Sequence, residues 1–166
     1  MSELTERSIT QYLSFTLGDE VYAIEIGKVK EVLDNTPTTK VPKTPDYMRG
    51  IINLRGSVVP VVDLRLKFGM DEIQSTVDTC IIIVETRLED ELVMIGALAD
   101  SVREVFDLMG DEIEPPPKIG TKLDIDFIKG MGKHDGGFII ILDFDRVFSK
   151  EEIEIVSQAG AITEQE

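Results

Sequence analysis

Histidine and cysteine, two residue types that often carry out acid–base or nucleophilic chemistry, occur once each in this chain. Its one histidine, His134, lies in a glycine-flanked turn at 132–136, with no second ligand or partner close in sequence. Its one cysteine, Cys80, opens the apolar run 80–84 and lacks the electropositive surroundings that favour a thiolate. No phosphate-binding glycine loop and no nucleophile elbow is present. The sequence therefore predicts no metal site and an inert, buried thiol.

Two aspartates, Asp63 and Asp143, occupy matching places, because each directly follows an apolar run that is predicted to be a strand. A carboxylate at the end of a strand most simply accepts hydrogen bonds from nearby backbone amides. We therefore expect both carboxylates to stabilise the local fold. The alternative is a small enzyme with carboxylate catalysis in a groove, which would need two carboxylates with separated pKa values.

Arg55 is the best candidate for binding a partner. It lies in the turn at 53–56, whereas the matching place in the second half of the chain holds Asp135. Positions kept in both halves should serve the shared fold, so a position that differs is free to serve function. The guanidinium fork suits a partner carboxylate or carbonyl, and such anchors carry much of the energy of interfaces. We expect an exposed anchor; the alternative is a solvated turn residue.

An internal duplication supplies the elements that position these residues. Residues 47–68 align without a gap on residues 127–148. The aligned identities are Gly50 with Gly130, Gly56 with Gly136, Asp63 with Asp143 and Phe68 with Phe148. Earlier in each half, VKEVLD at 29–34 matches VREVFD at 102–107, and each half opens with an apolar hairpin, at 12–26 and at 80–98. The sequence therefore predicts one β-rich unit used twice, as two similar barrels that share a seam.

The duplication also predicts how the chain is divided. Residues 1–9 are expected to form a disordered tail and residues 10–150 one domain, with halves at about 11–70 and about 79–148. Each half would be marginal alone, so we expect a buried patch shared between them and separated halves that do not fold. In the first strand, period-two alternation places Leu13, Phe15 and Leu17 on one face.

The connectors and the C-terminal region carry local signals of their own. Proline makes the connectors 41–45 and 108–126 extended spacers rather than helices. Ser149 and Glu152 have the spacing of a capping box, which predicts a helix over 149–159 with Ile153 and Val156 on its apolar stripe, followed by a loose tail at 160–166.

Composition excludes several classes of partner. Thirty-two acidic against seventeen basic residues give a net charge of −15, which disfavours binding to nucleic acid and to anionic lipid. No apolar run approaches the roughly 18 residues of a membrane span, and a single cysteine cannot form an internal disulfide. We therefore expect a cytoplasmic protein that does not insert into the membrane.

The longest motif resembles that of a known family. Residues 42–64, PKTPDYMRGIINLRGSVVPVVDL, are similar to the signature of the CheW family, the bacterial chemotaxis coupling proteins. The opening segment 15–24, the element 29–32, the connector 113–116 and the closing segment 140–143 also lie where this family has them. The resemblance covers residues 11–150.

The resemblance implies an all-β fold of two SH3-like, five-stranded barrels packed on each other, with short turns of helix and a C-terminal helix. It implies a scaffold with no enzymatic activity and no cofactor. Such a scaffold couples the cytoplasmic tip of a chemoreceptor to the histidine kinase CheA, whose regulatory domain has a similar fold. The free protein is expected to be monomeric and to be recruited from the cytoplasm to membrane-associated receptor arrays.

The resemblance also assigns receptor-contact residues, which come from both halves: Val29, Glu31, Gly50, Asn53, Leu54, Arg55, Val102 and Val105. For the three valines the alternative role is core packing. For Gly50, which recurs as Gly130, the stronger expectation is a backbone position that no side chain can enter. The alternative function is that of an auxiliary coupling protein in a different receptor–kinase system, such as one for twitching motility or development.

Overall fold

A computed structural model describes residues 9–88, 90–115, 127–134 and 136–156 of the chain. Within these residues the chain forms ten strands: β1 Ile9–Leu17, β2 Glu20–Glu25, β3 Val29–Asp34, β4 Met48–Leu54, β5 Ser57–Asp63, β6 Cys80–Leu88, β7 Glu91–Ala99, β8 Ser101–Met109, β9 Ile128–His134 and β10 Gly137–Leu142. Helix α1 spans Leu64–Lys67, helix α2 spans 150–156, and 3-10 turns lie at Ile26–Lys28, Gly110–Glu112 and Phe144–Arg146. No helix in the described ranges is long and apolar enough to cross a membrane.

The strands form two five-stranded sheets, which confirms the expected all-β pair of SH3-like barrels. Barrel A has the strand order β8-β1-β2-β10-β9, and barrel B has the order β3-β6-β7-β5-β4. In each barrel the pairs are antiparallel except one central pair, which is β2 with β10 in barrel A and β7 with β5 in barrel B.

The two barrels do not coincide with the two halves of the sequence. The hairpin β1–β2 of the first half pairs with β8 and β10 of the second, and the hairpin β6–β7 of the second half pairs with β3 and β5 of the first. Strands β1–β5 of the first half are equivalent to β6–β10 of the second. Replacing each strand by its equivalent converts one barrel order into the other, so the two barrels have the same topology. The halves have exchanged their opening hairpins, and each barrel contains strands from both.

The gapless alignment of 47–68 on 127–148 is confirmed strand by strand. The β4–β5 hairpin matches the β9–β10 hairpin, and the pairing of each skips the residue at the same place, Arg49 in one and Lys129 in the other. Each hairpin is also crossed by its connector, through the bridge of Thr39 with Ile51 and that of Glu114 with Met131. The duplicated glycines serve these crossings, as described below.

Most of the buried apolar side chains form one main cluster that spans both barrels. Leu13, Phe15 and Leu17 of β1 lie in it, as the alternation predicts, together with Ile81 and Ile83 of barrel B. Tyr12 faces the opposite way and belongs to a smaller cluster inside barrel A, with Phe106 and Ile141. The β1–β2 hairpin therefore has barrel A's core on one side and the shared cluster on the other, which confirms the buried patch expected between the halves.

The structure confirms some of the predictions for the termini and connectors and corrects others. Ile9 already belongs to β1, and Leu108 and Met109 still belong to β8, so the tail and the second connector are shorter than expected. The capping box is confirmed, because the Glu152 amide donates to Ser149 Oγ over 3.1 Å and the Ser149 amide donates to Glu152 Oε1 over 2.9 Å. Ile153 and Val156 are buried. Residues 1–8, 116–126 and 157–166 lie outside the described residues.

Candidate functional site

Arg55 occupies a tight two-residue turn between β4 and β5. Leu54 pairs with Ser57, and the φ angles of Arg55 and Gly56 are +50° and +90°. This is the left-handed conformation that primed hairpin turns require and that favours Asn and Gly over a long side chain. The Asn53 side chain accepts from the Gly56 amide over 2.9 Å and so supports the turn. The Arg55 side chain is 72% exposed, which agrees with the predicted anchor.

Glu31 holds Arg55 in place. Both guanidinium NH₂ groups donate to the two carboxylate oxygens of Glu31, one of them from Nη1 over 3.3 Å. The hydrogen bonds from Arg55 lower the pKa of the Glu31 carboxyl. β3 and β4 are the two edge strands of barrel B, so this ion pair connects one edge strand with the turn at the end of the other. The structure thus brings together two residues that the resemblance assigns to the receptor surface.

A second side-chain contact, on barrel A, joins the counterpart of Glu31 to a histidine. Glu104 is the counterpart of Glu31, and its Oε1 lies 2.6 Å from Nε2 of His134 at the end of β9. The His134 ring also stacks on Phe106, with ring centroids 4.5 Å apart. Both glutamates lie at register shifts of their edge strands, and such bulges re-aim side chains. Sequence reasoning missed this pair, although the repeated glutamate was a signal for it.

The assigned apolar residues divide between core and surface. Val29, Leu54 and Val102 are partly buried and pack against the main cluster, so core packing accounts for much of their contact. Val105 is 49% exposed on β8 of barrel A. Val32, its counterpart on β3, is 42% exposed and was not among the assigned residues.

Gly50 lies beneath its own connector. Its φ is +142°, and a Cβ built on it would lie 2.4 Å from the carbonyl oxygen of Thr39. A Cβ on Gly130 would likewise lie 2.7 Å from the carbonyl oxygen of Glu114. No side chain fits at either position, because the connector crosses directly over the strand. Gly50 thus shapes β4, and it is buried.

The two repeated aspartates have different roles. Asp63 is fully buried: its Oδ1 accepts from the amides of Arg65 and Leu66 over 2.9 and 3.3 Å, and its Oδ2 accepts from the amide of Ile73 over 3.0 Å. The predicted amide capping is confirmed for this residue. Arg49 Nη1 lies 3.5 Å from the same Oδ2.

For Asp143 the predicted capping is wrong. Its side chain is 36% exposed and pairs with Arg146, and it accepts no capping hydrogen bond. Asp143 is followed by a 3-10 turn, in which the Arg146 amide donates to the backbone carbonyl of Asp143 over 2.9 Å; the aligned Leu66 amide donates to the Asp63 side chain instead.

Aromatic side chains line a cleft of about 740 Å³ between the barrels, which the sequence analysis did not identify. Phe68 of barrel B stacks on Phe127 of barrel A, with centroids 4.8 Å apart and planes inclined by 3°. The other lining residues include Tyr22, Ile140 and Phe148. None of the residues assigned to receptor contact lines this cleft. The repeated phenylalanines of the aligned segments were the available signal.

The described residues contain no arrangement suited to catalysis or to metal binding. No three His, Cys, Asp or Glu side chains among them are close enough to hold a metal ion. Burial raises the pKa of the Cys80 thiol to about 11, so the thiol stays protonated near neutral pH. The surface instead presents groups suited to binding a partner: Arg55 with its acidic partner Glu31, and the exposed valines Val32 and Val105 on two edge strands.

Comparison with known proteins identifies what the chain is similar to. The family described as "CheW-like domain" matches residues 11–152. "Chemotaxis protein CheW" of Klebsiella aerogenes is 32% identical over 161 residues, which covers 96% of this chain and 95% of that protein. "Chemotaxis protein CheW" of Bacillus subtilis is 33% identical over 138 residues, which covers 82% of this chain and 85% of that protein. The crystal structure of the scaffolding protein TtCheW from Thermoanaerobacter tengcongensis matches with a TM-score of 0.76 and 37% identity, over 86% of this chain and 94% of that one.

Proposed function

Because the chain belongs to the CheW family of chemotaxis scaffold proteins, which are not enzymes, we propose that it couples chemoreceptor cytoplasmic tips to the histidine kinase CheA. Its contribution is geometric. It holds the kinase's regulatory domain at a fixed position relative to the receptor, so that receptor motion biases kinase activity. In the cell it would be recruited from the cytoplasm to receptor arrays at the membrane.

One observation carries the assignment of the receptor surface. Arg55 is exposed although it lies in a turn whose left-handed backbone disfavours a long side chain. Backbone strain of this kind indicates that the side chain is retained for what it does. Asn53 and Glu31 fix the turn and the guanidinium, so a partner meets a pre-organised anchor and little side-chain entropy is lost on binding.

The other residues of the proposed receptor surface come from both barrels. Glu31, Asn53 and Leu54 are neighbours of the arginine anchor on barrel B, where Val29 supplies apolar contact. Val102 and Val105 extend the surface to β8 of barrel A. Gly50 contributes indirectly, since it lets the connector cross β4 and so sets the position of the hairpin. An apolar seam bordered by charge is what an amphipathic receptor helix requires.

The test is titration calorimetry of a receptor cytoplasmic fragment into the wild type and three variants. Arg55→Ala should weaken binding by about 2 kcal/mol, which is roughly 30-fold, while the free energy of unfolding changes by about 0.5 kcal/mol or less. Arg55→Lys keeps the charge but loses the planar fork, so its affinity should lie between the two.

Arg146→Ala is the matched control. Arg146 is 68% exposed and pairs with one carboxylate, as Arg55 does, but it lies outside the proposed surface. Its affinity should equal that of the wild type. Equal affinities for the wild type and Arg55→Ala would refute the role of Arg55.

A further inference from the structure

Two carboxylates lie where the chain passes between the barrels. Asp100 occupies the link from β7 of barrel B to β8 of barrel A, and Asp145 lies in the 3-10 turn that follows β10. Both side chains are mostly buried, with exposures of 23% and 32%. The function proposed above does not otherwise use either of them.

Asp145 joins the end of barrel A to barrel B. Its Oδ1 accepts from Thr86 Oγ1 and from the Arg87 amide, each over 3.0 Å, and both donors belong to β6. Its Oδ2 accepts from Lys28 Nζ over 2.7 Å, on the link from β2 to β3. Burial alone would raise the pKa of Asp145, but the hydrogen bonds from Lys28, Arg87 and Thr86 together lower it.

Asp100 makes the reciprocal connection. Its Oδ2 accepts from the Gly18 amide over 2.6 Å, in the β1–β2 turn of barrel A, and from Arg65 Nη1 over 3.2 Å, in α1 at the end of barrel B's β5. Its own amide donates to the Thr16 carbonyl over 3.0 Å. The opening hairpin of barrel A is thereby tied to barrel B.

The duplication relates the contacts of Asp100 to those of Asp145, but the acidic and basic partners have exchanged positions. Arg65 is the counterpart of Asp145, since each is the second residue after its aligned aspartate. Asp100 and Lys28 lie on equivalent links, one from β7 to β8 and one from β2 to β3. In the first pair the anion, Asp100, lies on the link and the cation, Arg65, follows the strand end. In the second pair the cation, Lys28, lies on the link and the anion, Asp145, follows the strand end. In both, the carboxylate also accepts a backbone amide from an opening hairpin.

We propose that Asp100 and Asp145 are positioning residues that fix the orientation of the two barrels relative to each other. The apolar seam holds the barrels together, but apolar attraction is not directional and permits sliding. Charge-assisted hydrogen bonds to backbone amides are directional, and two of them at separate links define an orientation. The consequence for coupling rests on the proposed function, because an adaptor transmits geometry only if its receptor and kinase surfaces keep a fixed relation.

The test measures the distance between the barrels directly. Spin labels are placed on cysteines introduced at Glu91 of barrel B and Arg103 of barrel A, both exposed. The native Cys80 is buried and its thiol pKa is raised to about 11, so it does not compete for the label. The variants are Asp100→Asn, Asp145→Asn and both together, with Asp107→Asn on the exposed side of β8 as the control that matches the charge change of each single variant.

The wild type and Asp107→Asn should give one narrow distance distribution, and the double variant a broadened or shifted one. The double variant should also bind receptor fragment and kinase regulatory domain singly within about twofold of the wild type, yet form at least fivefold less ternary complex. An unchanged distance distribution overturns the proposal, whereas a changed distribution with normal ternary assembly overturns its consequence for coupling. If the double variant does not fold, Lys28→Gln with Arg65→Gln removes the cations and should shift the same readouts.

A wild type that binds neither partner refutes the proposed function, while the distances still decide whether the carboxylates set the orientation.

Discussion

At the scale of single residues, Asp63 has a stabilising role that its counterpart Asp143 lacks. The Asp63 carboxylate is completely buried and satisfies three backbone amides, two in α1 and one at Ile73. It thus fastens α1 and the bridge between the halves to the end of β5. Removing it leaves three backbone amides without their acceptor, of which the Ile73 amide is buried, and a buried unsatisfied donor carries a desolvation cost.

Asp63→Ala should therefore lower the free energy of unfolding by about 3 kcal/mol or more. The duplication offers a matched control, because Asp143→Ala removes the equivalent but partly exposed carboxylate and should cost less than about 1 kcal/mol. Urea denaturation of the two variants measures the difference. Similar losses for both would contradict the distinction between them.

Residue-level prediction from the sequence succeeded where the decisive contacts are local. The Arg55 turn and the Ser149–Glu152 capping box depend on contacts between residues within four positions of each other. Residue types and their spacing in the sequence were therefore enough to predict both. The pairing of Arg55 with Glu31 depends on two segments that only the fold brings together. For Asp143 the difference lies in the turn that follows it, where the Arg146 amide donates to the backbone carbonyl of Asp143 and not to its side chain.

At the scale of elements, α2 shows how a short helix is held. Glu152 caps the Ser149 amide, accepts from the Tyr47 hydroxyl over 2.8 Å and pairs with Lys67 Nζ over 3.0 Å. Burial, followed by the hydrogen bond to Glu152, raises the pKa of the Tyr47 phenol. One side chain thus begins the helix and attaches it to barrel B.

Glu152→Ala should destabilise α2 by about 1–2 kcal/mol, through loss of the cap and of two attachments. The amides of 150–156 should then exchange with solvent faster, which hydrogen–deuterium exchange measures. Glu154→Ala changes an exposed residue of the same helix and should leave their protection unchanged. Equal protection in both variants would show that Glu152 does not hold the helix.

Strands and their order along the chain could be predicted, whereas the exchange of hairpins between halves could not. A duplication repeats the apolar pattern of β1–β2 in β6–β7, so either hairpin satisfies the period-two requirement of either barrel. The links at Ile26–Lys28 and at Asp100 take the chain from one barrel to the other, and the composition of these links does not indicate the crossing.

At the scale of the whole molecule, the exchange makes the two halves inseparable. Barrel A needs β8, β9 and β10 from the second half, and barrel B needs β3, β4 and β5 from the first. A fragment of residues 1–78 or 79–166 therefore contains no complete sheet. Each fragment alone should show no cooperative unfolding transition by circular dichroism, and mixing the two should restore strand content. A fragment that folds cooperatively by itself would contradict this architecture.

The central claim is that the protein assembles a receptor and a kinase through contacts alone. Its most direct test is sedimentation of a receptor cytoplasmic fragment and the CheA regulatory domain, each alone and together, with and without this protein. The account predicts a ternary complex that forms only when the protein is present and that Arg55→Ala weakens. Binding to neither component, or an equal amount of receptor–kinase complex in its absence, would contradict the account.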